Sequence, residues 1–332
     1  MKRGRSFPIR LISIVLAAFV IVFIGGYMGY NTVWKDYLNA STPAFTIPEL
    51  SKGFIPQGIA YDPVSDCFFL TGYMGNRTNS PIYAIDGRSG ALKKKVLMTD
   101  DQGESFRGHA GGLSVYGDRL YIAGSTDACM YYYPIAEMLN ADQDALYAPI
   151  QRTDLKNDGD FIRVSFTSVD ETLLYAGEFH RDPVFRTHAS HRVEFDGVTQ
   201  KAYLVGLSFD DDGQLVPVCV FSIPDNVQGA SFADGYLYLS QARGFLPGQI
   251  LTYRLDKIAP AGTKSVLGKD VPLYFVTEKT ADKITKIFPQ PEEIIVADGQ
   301  MYILSESASN RYLIGKLLGL DKVYKTPVHF FQ

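Results

Sequence analysis

Five polar positions stand at the openings of apolar runs, and their side chains could do chemistry together if the chain gathered them. They are Gln57, His109, Thr167 or Ser168, Gln228 and the pair Glu292-Glu293. One imidazole, two carboxamides, hydroxyls and carboxylates in one cavity would make a site for a small polar molecule, a glycan or a peptide. His109, with an ordinary pKa of about 6.5, and Glu292 would equally suit acid–base work in a hydrolase or lyase. A second group comes from Glu178-Phe179-His180-Arg181-Asp182 with His188 and His191. Imidazoles with a carboxylate can hold a divalent metal, and a His-rich surface loop would look the same in sequence. No H-E-x-x-H, G-x-S-x-G, P-loop or dinucleotide fingerprint is present. Gly108 to Gly112 precedes a strand rather than a helix, so it is not a phosphate cradle.

The elements that must position these residues repeat along the chain. The stretch Gly108 to Gly124 has a small-residue opening, a short apolar strand, a turn at Gly117-Asp118, a second apolar run and a closing Gly. The same unit returns at Pro56 to Gly72, at Val227 to Ser240 and at Pro291 to Ser305, and more weakly at Phe166 to Gly177. Repeats of this length, each with several short strands, predict an all-β, single β-propeller. Five inner strands are visible, which predicts five blades. A sixth, in residues 195–223 or 256–290, stays open. The first strand of each blade lines the channel, so the residues opening those strands converge at one mouth. Ala44-Phe45-Thr46-Ile47 is expected to close the ring by pairing with the last blade. Pro134 to Tyr147 has helical spacing, Asp210-Asp211-Asp212-Gly213 reads as a hairpin turn, and Lys257 to Pro272 reads as a surface connection.

Composition limits the setting. The 332 residues are 46% hydrophobic and 20% charged, enough for a substantial core, and the 30 Gly, 21 Tyr and 21 Phe favour strands and tight turns. Residues 1–10 form a basic tail with Lys2, Arg3, Arg5 and Arg10, and 11–30 carry no charge. Twenty such residues in a helix rise about 30 Å, enough to cross a bilayer. Basic residues on one side only predict a single-pass signal anchor in the plasma membrane, a linker over 31–42 and an ectodomain over 43–332 outside the cytoplasm. The competing reading is a cleaved signal peptide. Without the four basic residues of the tail, 28 Lys and Arg face 36 Asp and Glu, a net charge of −8, which argues against nucleic acid as a partner. Cys67, Cys129 and Cys219 are too few and too scattered for a disulfide framework or a Cys zinc site.

The opening patterns together resemble a wider group of extracytoplasmic β-propellers that includes gluconolactonases, strictosidine-synthase-like proteins and plant-type glutaminyl cyclases, over residues 43–332. Pro56-Gln57-Gly58 with Thr71-Gly72, Ile82 to Asp86 and Ser89-Gly90 is most similar to the first blade of the cyclases, which carry an acid where this chain has Phe69-Leu70. Gluconolactonase-like enzymes use a central calcium held by Glu, Asn and Asp, and that resemblance implies Glu292 or Glu293 as the only suitably placed ligand. The whole chain looks most like uncharacterised membrane-anchored bacterial β-propellers. A retained anchor leaves residues 11–30 on the mature protein. N-terminal sequencing that starts near residue 27 or 41 would overturn it.

Overall fold

The computed structural model describes residues 32–244, 246–312, 315–316 and 318–332. The basic tail and the anchor expected over 11–30 lie outside the described residues. Among the described residues, no helix is long and apolar enough to cross a membrane.

Five blades surround a narrow axis, with inner strands Phe54–Asp62, Ala110–Tyr116, Val164–Val169, Val227–Ala233 and Pro291–Ala297. They are numbered one to five in that order. Each blade meanders outward because apolar residues alternate along its strands and Gly or Asp with positive φ turns its hairpins, as at Gly117, Asp234-Gly235 and Asp298-Gly299. Among the described residues, buried side chains fall into five clusters, one at each interface between neighbouring blades. Blades in this arrangement share their cores pairwise, so none can bury its faces alone.

Thr42–Thr46 is the outermost strand of blade five, antiparallel to Lys322–Pro327. Its Phe45 packs at 5.1 Å from Phe68 of blade one, and Phe68 lies 4.7 Å from Tyr302 of blade five. The first strand thus closes the ring and covers a sheet edge.

Neither region left open for a sixth blade forms one. Residues 202–223 supply the outer strands of blade three, Ala202–Phe209 and Leu215–Ile223. The segment expected to be a surface connection, 257–272, instead belongs to a hairpin of Pro260–Val266 and Lys269–Phe275. Lys269–Phe275 runs parallel to Leu215–Ile223 and widens blade three to six strands. Val266, Val271 and Leu273 are buried in the cluster between blades two and three. The Pro, Gly and Lys around them masked that apolar face. The helical insertion is shorter than its pattern, Ile135–Asn140, and is followed by Leu146–Tyr147, a strand added to blade one.

Two local features shape the axis. Every inner strand slips register in its first half, at Gln57, at Gly111-Gly112, at Ser165, at Gln228 and at Glu292-Glu293. Such β-bulges re-aim the extra residue away from the ladder. Just past them, the Glu293 side chain lies across the axis. Its Oε2 accepts hydrogen bonds at 2.8 Å from the N–H groups of Ile59 and of Leu113, and its Oε1 accepts one at 3.3 Å from Thr167 N–H. Glycines make the room: a Cβ on Gly112 would stand 2.2 Å from Glu293 Oε1, and one on Gly229 would stand 2.6 Å from the Glu293 Cα.

Glu293→Ala strands three buried N–H groups, each costing about 1–3 kcal/mol, so it should destabilise the protein by roughly 3 kcal/mol or more. Glu293→Gln keeps an acceptor oxygen and should cost less. Urea unfolding curves check both, and an alanine variant with the wild-type midpoint would show that the axis does not depend on this side chain.

Candidate functional site

The bulges aim Gln57, Ser165, Gln228 and Glu292 into one cavity of about 90 Å³, which His109 also borders. It is blind, because Glu293 fills the axis beneath it. Thr167 and Ser168 open on the opposite mouth, and Glu293, which three blades hold by their backbones, sits between the two mouths as a plug. Burial pushes its carboxyl well above the ordinary range, against the pull of those three donors.

The floor is a carboxyl pair. Glu292 is 2% exposed and in hydrogen-bond contact with Glu306, which is 6% exposed. Gln228 Nε2 donates to Glu292 Oε1 at 3.1 Å. Glu306 accepts from Tyr312 Oη at 2.8 Å and from Gln57 Nε2 at 3.3 Å. Burial, and then the charge of Glu306, push the Glu292 carboxyl well above its usual value. Burial also raises Glu306, while Tyr312, Arg311 and Glu292 favour its ionised form. Two carboxyls in contact resist ionising together, so the pair favours a shared proton.

His109 is set by its neighbours. Gln57 Nε2 donates to Pro56 O at 2.7 Å and to Glu306, so its Oε1 is left to accept from His109 Nε2–H. Burial, and then the nearby Arg311 and Arg163, lower the His109 pKa to about 4, which makes it a neutral imidazole with its proton on Nε2. Its ring meets Tyr73 edge-on at 4.7 Å, and Tyr73 Oη accepts from Arg311 Nη1 at 2.6 Å. Ser125 also borders the cavity, and its buried hydroxyl has no partner among the described residues. At the rim, Arg163 and Arg181 lie over the Phe185 ring at 5.6 and 5.1 Å. Guanidinium groups thus stand above an acidic floor.

Sequence reasoning missed Glu306, Ser125, Arg311 and the Arg–Phe rim. Ser125 and Glu306 each directly follow the second strand of their blade, Arg119–Gly124 and Gln300–Ser305, and those strand ends run beside the bulges. Polar residues closing second strands were the available signal. Arg163, Arg181 and Arg311 carry none, because they come from connections of irregular length.

The histidine group divides. His180 faces Thr187 Oγ1 at 3.0 Å and Asp182 at 3.5 Å, apart from the others. His188 and His191 come together with Asp160, near enough to share an ion. His191, however, already bridges two carboxylates, with Nδ1 at 2.7 Å from Glu178 Oε2 and Nε2 at 2.9 Å from Asp160 Oδ1. Burial alone would lower its pKa, but the bonds to Asp160 and Glu178 raise it to about 9. Both ring nitrogens donate, so a metal would have to expel a proton that two carboxylates hold. Glu178 also accepts from the N–H groups of Arg163 and Tyr203, and Asp160 from Leu267 N–H in the turn of the edge hairpin. The triad ties that hairpin to blade three.

No family model matches the sequence, and no curated protein is similar to it. Solved structures similar in fold include the glutaminyl cyclase of Myxococcus xanthus, at 13% identity over 80% of this chain and 89% of that one with a TM-score of 0.42. A luciferin-regenerating enzyme matches at 12% identity over 86% of this chain and 95% of that one, with a TM-score of 0.44. A chain of a nidogen/laminin complex matches at 12% identity over 76% and 73%, with a TM-score of 0.41.

The triad sets a pH window. His191 has a folded pKa of about 9, above its ordinary 6.5, so its stabilisation is complete below pH 6.5 and is lost as pH rises through 9. Asp160, which burial raises but His191 and Leu267 hold down to about 2, contributes above its ordinary 3.8 and is lost as pH falls towards 2. Thermal midpoints of the wild type should therefore fall between pH 6 and 9.5 by more than those of His191→Gln. Parallel profiles would rule out the charged triad.

Proposed function

We propose that this chain is a ligand-binding propeller whose blind mouth pocket takes the polar end of a small molecule, glycan or peptide. The observation that carries the reading is the buried Glu292–Glu306 pair, in contact beside the hydroxyl of Ser125, which has no partner among the described residues. A pocket of about 90 Å³ admits a terminal group and not a whole sugar ring or residue, so the rest of the ligand lies against the Arg and Phe rim. Buried polar groups of this kind reject ligands that leave them unpaired, which is a source of specificity. We also place the propeller outside the cytoplasm, held by residues 11–30. The support is the uncharged run with basic residues on one side only.

The same pair favours a second reading, acid–base catalysis in a hydrolase or lyase. Two carboxyls whose environments separate their affinities for a proton suit a donor and an acceptor, here Glu292 and Glu306. His109 then acts as a positioning residue, since it is neutral and donates its Nε2–H hydrogen bond to Gln57 Oε1.

A thermal-shift screen of amino acids, dipeptides and mono- and disaccharides on the full chain should find compounds that raise the melting temperature. Glu292→Gln should weaken such a compound by about tenfold, because its amide sets an N–H where the carboxyl offers oxygen, while the unliganded protein keeps its stability. Conversion of the compound by wild type and not by Glu292→Gln would favour the enzyme. A compound that binds wild type and variant equally would remove the pocket from consideration.

A further inference from the structure

The channel has a second mouth that the reading above does not use. It opens into a cavity of about 310 Å³ bordered by all five inner strands. Corresponding positions form its wall: Tyr61, Val115, Val169, Phe232 and Val296, one from each blade, all half-buried. One position earlier the strands place Ser114, Ser168 and Ser231 at the floor. The cavity is an apolar bowl with hydroxyls at its base, at the small end of the range for ligand pockets.

One of those hydroxyls has no partner among the described residues. Ser114 Oγ donates to Thr167 Oγ1 of the next blade at 2.8 Å, and Ser231 Oγ accepts from Val296 N–H at 3.2 Å. Ser168 stands like Ser114, but Ala230 occupies in blade four the place of Thr167 in blade three. Ser168 is 4% exposed, borders the bowl, and has no hydrogen bond among the described residues. A hydroxyl that faces a cavity and has no protein partner is a group that a ligand can satisfy.

Acids gather around this mouth. Asp298 borders the bowl, and Asp118, Glu171 and Asp234 lie exposed in the turns that follow the inner strands of blades two, three and four. Arg119 lies 3.5 Å from Asp118, and Arg88 lies 3.0 Å from Asp66. The Tyr61 and Phe232 rings add faces that attract positive charge.

We propose that this bowl is a second ligand site, for a free organic cation with an apolar body, such as an arylalkyl ammonium ion. The body fills the apolar wall, a polar atom meets Ser168, and the positive charge faces Asp298. Glu293 separates the two mouths, so the site is independent of the pocket at Glu292.

Calorimetric titration of the full chain with 2-phenylethylammonium tests this, with 2-phenylethanol and 3-phenylpropionate as neutral and anionic comparators. The ammonium should bind saturably and more tightly than the alcohol, and the carboxylate should bind weakest. Asp298→Asn should weaken the ammonium by about threefold and leave the alcohol unchanged, as an exposed charge does. Ser168→Ala should weaken binding by about fivefold with an unchanged melting temperature. Glu292→Gln should have no effect here, although it disables the other pocket. Absence of saturable ammonium binding would overturn the proposal, as would equal binding of the carboxylate, indifference to both bowl substitutions, or loss on Glu292→Gln.

Discussion

Five strands cannot meet at a point, and the gap they leave on the axis has to be filled. Here the Glu293 side chain fills it, reaching from blade five to the backbones of blades one, two and three. A carboxyl group is costly to bury, and the three N–H donors that hold it would be costly to leave unmade. Each needs the other, so the blades are fixed relative to one another at their narrowest point. Gly58, Gly112 and Gly229 belong to the same constraint, since side chains there would collide with the plug or with a neighbouring strand. Both cavities exist in their present form because this wall divides the channel.

The pocket above the plug owes its chemistry to irregularity. A regular strand would send Gln57, Gln228 and Glu292 to the blade faces, where apolar packing would exclude them. The bulges turn them into the cavity without unravelling the ladders outside. Once there, each polar group is held by another: Gln228 by Glu292, His109 by Gln57, and Gln57 by Glu306. A network supported on the backbones of blades one, two, four and five keeps its geometry without a ligand, which lowers the cost of binding one.

The architecture was legible because it follows from local rules. Alternating apolar residues and Gly or Asp turns recur at Gly108 to Gly124, Val227 to Ser240 and Pro291 to Ser305, and they mark inner strands whatever the surroundings. Gln57, His109, Gln228 and Glu292 could be picked out as the polar residues opening those strands. Glu293 could not be separated from Glu292, because one residue along a bulge decides which points into the pocket and which crosses the axis. The state of His191 was also illegible, since Asp160 and Glu178 reach it only through the folded chain. The hairpin at Pro260–Phe275 was hidden by composition: its buried apolar residues, Val266, Val271 and Leu273, stand among Pro, Gly and Lys that read as surface.

The strand that closes the ring also has a position in time. Thr42–Thr46 leaves the ribosome long before its partner Lys322–Pro327 is made. At about 5–20 residues per second, the first waits roughly 15 to 60 s for the second. Until then blade five has neither of its outer strands paired, and blade one lacks the Phe45 side that completes its core. The ring therefore cannot close before Lys322–Pro327 is made. A factor that shields Thr42–Thr46 during that interval would act on the yield of folded protein and leave its final stability untouched.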